Sequence, residues 1–422
     1  MLLLKNVRAV DSSIKLDKIT DILIDDKKIV KVCENITDKA DRVIDGMGKL
    51  VVFPGLVDMH VHLRDPGFTH KEDVITGTNS AKAGGFTAVA CMPNTKPSID
   101  NADTVSYILD KAKNTGVKVY PVGCITKGMN GGELCDYDEL KNAGVIAISD
   151  DGRPVENAEL MRQALELSNT NGLCVISHCE DLNIINGGIM NKGEISEKLG
   201  VKGMDRASED YITAREIALA MSCDAHIHIA HVSTEGSVNI IRAAKKDGVN
   251  VTCETCPHYF TYTDEKLLSQ DADYRMNPPL RTEKDRIAIE KAVLDGTIDC
   301  IVTDHAPHAK EEKADFFKAP NGVVGLETSL AVTLTQLYHT GKCDLMKICE
   351  IMSENPRKVL GVEAVSIRDG SAADLTIFDT DIEWEVVPEE LHSKSKNTVF
   401  KGEKLKGKTV FTISEGKIVF KL

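Results

Sequence analysis

Short apolar runs that end in polar residues recur eight times through the middle of the chain. The runs are GLVDMHVHLRD, GFTAVACMPNT, VKVYPVGCIT, GVIAISDDG, GLCVISHCED, AHIHIAHVST, VNVTCETCPHYF and TIDCIVTDHAPH. Between them lie segments with helical spacing of apolar residues, such as NADTVSYILDKAKNTG, which has an asparagine or aspartate cap at its start and a glycine at its end. Eight strand–helix units in about 300 residues predict a closed (β/α)8 TIM barrel, with a doubly wound open sheet as the alternative.

Both ends of the chain have a different pattern, in which β-branched residues are mixed with polar turn residues. The segments are LLLKNVRAVD, DILIDDKKIVKVC and DRVIDGMGKLVVFPG at the start, and ADLTIFDT, EWEVV, NTVF and KTVFTISEGKIVF at the end. They read as short strands. We therefore expect residues 1–53 and 366–422 to build one small β-sandwich domain together, and residues 54–365 to form the barrel.

Polar residues concentrate where the eight predicted strands end. Collected in chain order, they are His60, His62, Arg64, Asn94, Asp150, Asp151, His178, His231, Asp304 and, in the loop after the last strand, His308. Because the carboxyl ends of barrel strands meet on one face, where barrel enzymes build their active sites, this placement favours the barrel over the open sheet.

Four histidines and two carboxylates on one rim predict a metal centre. Alternation along an extended strand puts His60 and His62 on the same face. Each residue taken singly is explained equally well as a turn or a strand-end hydrogen bond. Together they provide the imidazole and carboxylate ligands that two divalent cations of the zinc class require.

The same alternation separates three histidines in AHIHIAHVST. His226 and His228 share one face of the predicted strand, whereas His231 lies on the other. Since only one face can look into the barrel, we take His231 as the candidate ligand. We expect His226 and His228 to pack outside the barrel.

Composition and charge narrow the class of partner. A formal net charge of -14 over 422 residues, without a basic cluster, argues against nucleic acid as a ligand. No apolar stretch is long enough to span a membrane or serve as a signal peptide. Twelve cysteines without regular spacing are typical of reduced thiols in a cytoplasmic protein, and we interpret CETC as strand cysteines. The chain is expected to act on a small molecule.

The motifs VDMHVHLRDPG, GGFTAVACMPNT, ISDDG, VISHCED, IAHVST, RMNPPLR and VTDHAPH resemble the cyclic-amide branch of the amidohydrolase superfamily. They are most similar to the bacterial type I dihydroorotases of de novo pyrimidine (UMP) biosynthesis. The resemblance implies reversible, zinc-dependent cyclisation of N-carbamoyl-L-aspartate to L-dihydroorotate. Related hydantoinases carry a carboxylated lysine on the fourth strand, where this chain has GVIAISDD. That departure disfavours a hydantoinase or an allantoinase.

The resemblance also implies a role for each matching residue. His60, His62, Asp151 and Asp304 would hold one Zn²⁺, and Asp151, His178 and His231 a second, with Asp304 as the catalytic acid and base. The substrate would contact His62, Arg64, Asn94, Asn277, His308, Asn321 and Gly322. The family favours an aromatic residue where Asn321 stands, so this contact departs from the pattern.

Two further interpretations stay open at this stage. One is a hydantoinase-like hydrolase of another cyclic amide, although Arg64 points to a substrate with a carboxylate. The other is a non-catalytic dihydroorotase-like partner of aspartate transcarbamoylase, although such a chain should have lost several ligands. A homodimer and an association between an active enzyme and aspartate transcarbamoylase are also compatible with the resemblance.

Overall fold

The computed structural model describes all 422 residues. Five strands come from the first 54 residues; four lie within the predicted β segments, and β2 begins five residues before the segment predicted for it. They are β1 (Leu2–Asp11), β2 (Leu16–Asp25), β3 (Lys28–Cys33), β4 (Arg42–Asp45) and β5 (Leu50–Pro54). β2 pairs antiparallel with both β1 and β3, whereas β4 and β5 run parallel to β1.

Eight parallel strands follow, one from each predicted apolar run. They are β6 (Leu56–Val61), β7 (Phe86–Cys91), β8 (Lys118–Gly123), β9 (Ala147–Ile148), β10 (Cys174–Ser177), β13 (Ile227–Ile229), β14 (Val251–Thr255) and β15 (Cys300–Ile301). Two further short strands, β11 (Met190–Asn191) and β12 (Gly203–Met204), pair only with each other and lie outside the barrel. Neighbours in the sheet follow chain order. A parallel bridge between Val61 and His305 brings the two edges together, so the predicted barrel is confirmed.

Thirteen helices lie between the barrel strands and after the last of them. They are α1 (Val74–Gly84), α2 (Ala102–Ala112), α3 (Tyr137–Ala143), α4 (Ala158–Asn171), α5 (Leu182–Ile185), α6 (Glu194–Leu199), α7 (Ala207–Cys223), α8 (Glu235–Lys246), α9 (Pro257–Thr261), α10 (Glu283–Asp295), α11 (Ser329–Thr333), α12 (Leu345–Cys349) and α13 (Asn355–Leu360). Two π-helical turns, Leu334–Tyr338 and Glu350–Glu354, continue α11 and α12. Short 3₁₀ turns cover Ser12–Ile14, Lys127–Met129, Asp264–Ser269, Ala272–Tyr274 and Pro388–Glu390. No helix combines the length and hydrophobicity that a membrane crossing requires.

The capping signals in the sequence explain where α2 and α4 begin. Asn101 accepts a hydrogen bond from the Thr104 N–H, and Asn157 accepts from Leu160, so each asparagine satisfies an N–H group that the first helical turn leaves free. At the other end of α4, Gly172 adopts a left-handed conformation with φ of 61°, which a glycine reaches at little cost.

The last three strands return to the N-terminal sheet. They are β16 (Leu375–Glu385), β17 (Lys404–Ser414) and β18 (Lys417–Lys421), and β16 pairs antiparallel with β5. The sheet runs β18-β17-β16-β5-β1-β2-β3, with β4 beside β1. Strands from both ends thus share one sheet, as predicted. The proposed boundaries at residues 53 and 366 stay a prediction.

The NTVF segment, Asn397 to Phe400, was expected to be a strand, and this prediction is wrong. It forms an irregular connection before β17. The β-branched residues there are buried at the junction with the barrel, where Val399 and Phe400 join the barrel core. Burial therefore accounts for the apolar run without any strand pairing.

Strand β6 shows how alternation places the site. Val57, Met59 and Val61 are fully buried in the core, and each contributes about 1.5–3 kcal/mol of hydrophobic stabilisation. His60 and His62 alternate with them and therefore face the barrel interior. The terminal sheet has a second hydrophobic core of its own, which includes Leu4 and Ile22.

Candidate active site

The six predicted metal ligands come together at the carboxyl ends of the barrel strands. His60 and His62 stand at the end of β6; the others, one after each of β9, β10, β13 and β15, are Asp151, His178, His231 and Asp304. All six are buried, with between 0 and 7% of each residue exposed. The sequence prediction that these residues share one site is therefore consistent with their positions.

Asp151 occupies the centre of this cluster. Its Oδ1 lies 3.4 Å from His60 Nε2, from His178 Nδ1 and from His231 Nε2, and its Oδ2 lies 3.4 Å from His62 Nε2. Ligand atoms bound tetrahedrally at 2.0–2.1 Å are about 3.3 Å apart, so these separations suit two cations that share one carboxylate. The two groups are His60 with His62 and Asp151, and Asp151 with His178 and His231.

Two further observations fit a divalent cation. Asp304 Oδ1 lies 3.1 Å from His62 Nε2 and 3.7 Å from His60 Nε2, which adds a second carboxylate to the first group. The Nε2 atom of His60 is buried and has no hydrogen-bond partner. Since buried polar atoms are normally satisfied, this nitrogen is placed as a metal ligand would be.

The charged groups in the cluster shift one another's pKa values. Burial by itself would raise the pKa of Asp151, but the charge of His60 and hydrogen bonds from His178 and His231 hold it well below its usual range. Burial by itself would lower the pKa of His178, but hydrogen bonds with Asp151 and Glu180 raise it to about 10. The carboxylate therefore stays ionised, and the site attracts positive charge.

Glu254, a residue that sequence reasoning missed, supports the ligand His60. It lies on β14 and is fully buried. Its Oε1 is 2.7 Å from His60 Nδ1, and its Oε2 is 3.2 Å from His228 Nε2. A carboxylate on Nδ1 fixes the tautomer with the Nε2 lone pair facing the cluster. The signal was an acidic residue inside the buried CETC run.

The predicted outward packing of His226 and His228 is wrong. Both rings meet the Thr252 hydroxyl, at 2.8 and 2.7 Å, and His228 also faces Glu254 inside the barrel. His231 reaches the same interior because its backbone turns to φ of 31°, in the left-handed region. Alternation of faces holds only within the extended strand, which ends two residues before His231.

A cationic pocket borders the metal ligands. The Nε of Arg64 donates to the Pro307 carbonyl at 3.1 Å, and its Nη2 lies 3.3 Å from His308 Nε2. Lys71 Nζ is 3.4 Å from His308 Nδ1, and the Asn321 carbonyl is 2.9 Å from His308 Nε2. The contact with Asn321 is the shortest of these, and it favours the tautomer in which Nε2–H donates to that carbonyl and Nδ1 accepts from Lys71. Burial, with the charges of Arg64 and Lys71, lowers the pKa of His308 to about 3, so the ring is neutral.

Asn94 and Asn277 contact the metal-ligand histidines or their partners. Asn94 Oδ1 lies 2.8 Å from His62 Nδ1 and can accept a hydrogen bond from its N–H group. Asn277 Nδ2 donates to Glu180 Oε1 at 2.8 Å, and Glu180 Oε2 lies 3.3 Å from His178 Nε2. Glu180, in VISHCED, was not predicted as a site residue, and its carboxylate lies between Asn277 and His178.

The loop with Asn321 and Gly322 closes against His308. Gly322 has φ of 146°, and a Cβ there would lie 2.7 Å from the Ala306 carbonyl and 2.9 Å from His308 Cδ2. Asn397 holds this loop: its Nδ2 donates to the Gly322 carbonyl at 2.9 Å, and its Oδ1 accepts from the His308 N–H at 3.1 Å. The C-terminal segment thus completes a barrel site, which sequence reasoning did not anticipate.

Comparison with known proteins identifies the family. A family model described as Dihydro-orotase-like matches residues 48–237. A protein named Dihydroorotase from Geobacter sp. (strain M21) is 49% identical over 421 residues, which cover 99% of each chain. Another, from Acetivibrio thermocellus, is 48% identical over 420 residues, 99% of this chain and 98% of that one. This chain belongs to the dihydroorotase family.

Among solved structures, the chain is similar to barrel enzymes that hydrolyse cyclic amides. The L-Hydantoinase (Dihydropyrimidinase) from Arthrobacter aurescens matches with a TM-score of 0.89 and 27% identity over 100% of this chain and 96% of that one. The dihydropyrimidinase from Brevibacillus agri shares the fold, with a TM-score of 0.86 at 24% identity over 99% of this chain and 95% of that one. The chain is a cyclic amide hydrolase, and its much closer sequence relatives favour a dihydroorotase over the hydantoinase alternative.

Proposed function

We propose that this dihydroorotase uses two Zn²⁺ ions to interconvert N-carbamoyl-L-aspartate and L-dihydroorotate in pyrimidine synthesis. In this proposal one ion is held by His60, His62, Asp151 and Asp304, and the second by Asp151, His178 and His231. The main support for this proposal is the position of the Asp151 carboxylate, whose two oxygens lie 3.4 Å from four imidazole nitrogens. Imidazole with carboxylate is a donor set that zinc accepts.

The proposed chemistry is hydrolysis of the ring amide and its reversal. Zinc, when bound, supplies Lewis acidity that polarises an amide carbonyl and makes water acidic enough to attack at neutral pH. Asp304 takes the proton of the attacking water and returns it to the ring nitrogen as the carbon–nitrogen bond breaks. Burial raises the pKa of Asp304, but His62 and His60 outweigh this effect and lower it, so the carboxylate is ionised and ready to accept a proton. In the direction of ring closure, Asp304 removes a proton from the carbamoyl nitrogen.

The cationic pocket selects the substrate. The planar guanidinium of Arg64 can bind both oxygens of the substrate carboxylate at once. The Nε2–H of neutral His308 adds a donor when it turns from the Asn321 carbonyl, which lies 2.9 Å away. Asn94, Asn277 and Gly322 are the remaining proposed contacts, with Asn321 beside them. This local positive charge attracts a dianion to a protein whose net charge is -14.

An active enzyme and a non-catalytic partner differ in whether they need the metal-binding residues. A non-catalytic partner of aspartate transcarbamoylase would not need all six metal ligands, and this chain has each of them. We therefore favour an active enzyme, and we keep a homodimer and an association with aspartate transcarbamoylase as open assemblies. The twelve cysteines, none of which forms a disulfide, support a cytoplasmic location.

The test combines metal analysis with an absorbance assay of dihydroorotate hydrolysis. We expect two zinc ions per wild-type chain, and turnover that stops on chelation. Asp304→Asn should keep much of its zinc, because five ligands remain, and should lose turnover by roughly 10²- to 10⁴-fold, because an amide cannot relay a proton. Asp374→Asn is the matched control, since this buried carboxylate pairs with Lys118 and lies just before β16 of the terminal sheet. Bound zinc without wild-type turnover would refute the proposed activity of the isolated chain.

A further inference from the structure

Lys313 joins two segments that border the proposed substrate pocket. Its Nζ donates to the Arg275 carbonyl at 3.1 Å and to the Pro320 carbonyl at 3.0 Å. The Gly322 N–H donates to the same Arg275 carbonyl at 2.9 Å. The Arg275 carbonyl thus accepts hydrogen bonds from both the Lys313 ammonium and the Gly322 N–H. Through its second hydrogen bond, to Pro320, the ammonium also ties Arg275 to the start of the loop that contains Gly322.

Both carbonyls lie next to proposed substrate contacts. Arg275 comes two residues before Asn277, and Pro320 comes directly before Asn321. The Asn321 carbonyl in turn lies 2.9 Å from His308 Nε2. A shift of either segment would therefore move donors that face the substrate.

No neighbouring carboxylate balances the positive charge of Lys313. The residue is 9% exposed, and no carboxylate lies within ion-pair distance of its Nζ. The nearby Asp271 and Asp273 pair instead with Lys401, at 2.5 and 2.8 Å. Burial lowers the pKa of Lys313 to about 7. Because a buried ammonium without a counter-charge costs folding free energy, stability alone does not account for a lysine at this position.

We propose that Lys313 is a positioning residue for substrate binding, which holds the Asn277 segment against the loop of Asn321 and Gly322. The inference rests on the proposed substrate contacts in these two segments. Lys313 itself touches neither the metal ligands nor the reacting atoms. Its contribution should therefore appear in substrate affinity rather than in the chemical step.

A structural role and a positioning role predict different results for Lys313→Met. Methionine keeps most of the buried stem and removes the charge and both hydrogen bonds. If Lys313 only stabilised the fold, the melting temperature would fall, and kcat and KM would worsen together. If it positions the loop, the melting temperature should hold or rise, because the desolvation cost of the ammonium disappears.

The experiment measures KM and kcat for L-dihydroorotate, the melting temperature, and hydrogen exchange at the Gly322 amide. For Lys313→Met we expect KM to rise roughly tenfold or more, since hydrogen bonds from a charged donor are lost. We expect kcat near the wild-type value and faster exchange at Gly322. Lys310→Met is the matched control, because Lys310 lies on the same loop and its exposed side chain makes no hydrogen bond or ion pair. Lys313→Arg should restore KM in part, since it keeps the charge and the donors.

Unchanged KM and unchanged Gly322 exchange in Lys313→Met would overturn the inference. So would a loss of melting temperature that accompanies equal losses in KM and kcat. Should the methionine variant fail to fold, Lys313→Leu, which also lacks N–H donors and charge, is read by the same criteria. Failure of the proposed function can be told apart from failure of this inference. In that case the wild-type protein would lack turnover, whereas hydrogen exchange at Gly322 would still show whether Lys313 holds the loop.

Discussion

Replacing Glu254 separates the charge of this buried carboxylate from its hydrogen bond to His60. Glu254→Gln keeps an oxygen that can accept from His60 Nδ1 but removes the charge. Glu254→Leu removes the acceptor as well. The wild-type distance of 2.7 Å is that of a strong, charge-assisted hydrogen bond. Both changes should weaken metal binding, and the leucine variant should be affected more.

The expected magnitude follows from these contacts. Loss of an outer partner of a metal-bound histidine costs about 10- to 100-fold in metal affinity, or about 1.4–2.7 kcal/mol. Glu254→Gln should lie near the lower value, because His60 keeps an acceptor. Glu254→Leu should lie near or above the higher value, because a buried donor is left unsatisfied and the tautomer of His60 is no longer fixed. The carboxylate is also 3.2 Å from His228, so the leucine variant loses a second contact.

The assay is zinc affinity, measured by competition with a chromophoric chelator at neutral pH, so it does not depend on turnover. Thermal melting of the metal-free proteins shows whether each variant folds. Glu216→Gln is the matched control: Glu216 is also buried, but it pairs with Arg215 on the outer helix α7. Wild-type zinc affinity in both Glu254 variants would refute the inference that this carboxylate fixes His60.

Three other changes test the pocket and its surroundings. Arg64→Met should raise KM for dihydroorotate roughly 30-fold or more, because the substrate carboxylate loses its charged partner; steady-state kinetics check this, and an unchanged KM would count against the carboxylate contact. Gly322→Ala should raise KM by about tenfold or more, since a Cβ would lie 2.7 Å from the Ala306 carbonyl and force the loop to move. Gly341→Ala, at φ of 72° in open space, controls for backbone strain, and similar kinetic losses in both variants would contradict the steric argument. Because burial lowers the pKa of Lys313 from 10.5 to about 7, the unfolded chain binds more protons between these values, and the free energy of unfolding should rise by about 1.4 kcal/mol per pH unit there. Denaturant unfolding from pH 7 to 10 checks this: the free energy of unfolding should rise more steeply with pH in the wild type than in Lys313→Met. Equal slopes would show that Lys313 titrates normally.

The barrel was predictable because its signals are local. Each apolar run became a strand, and Asn101 caps the helix that it was expected to begin. Local pattern failed where the chain leaves regular geometry. His231 itself has a left-handed backbone conformation, so counting alternate residues back from it placed His226 and His228 on the wrong face. The apolar NTVF segment is buried as an irregular connection, and hydropathy does not distinguish this from a strand.

By itself, the sequence determined which chemical groups stand at the ends of the strands: imidazoles and carboxylates for a cation, and Arg64 for a carboxylate. Alternation and barrel geometry then require these groups to share one face. Only the tertiary structure decided which partner each group meets. Glu254 reaches His60 from a strand 194 residues away in the chain, and Asn397 reaches His308 from 89 residues away. A hydrogen bond depends on atoms placed within a few tenths of an ångström, and packing between distant segments determines that placement.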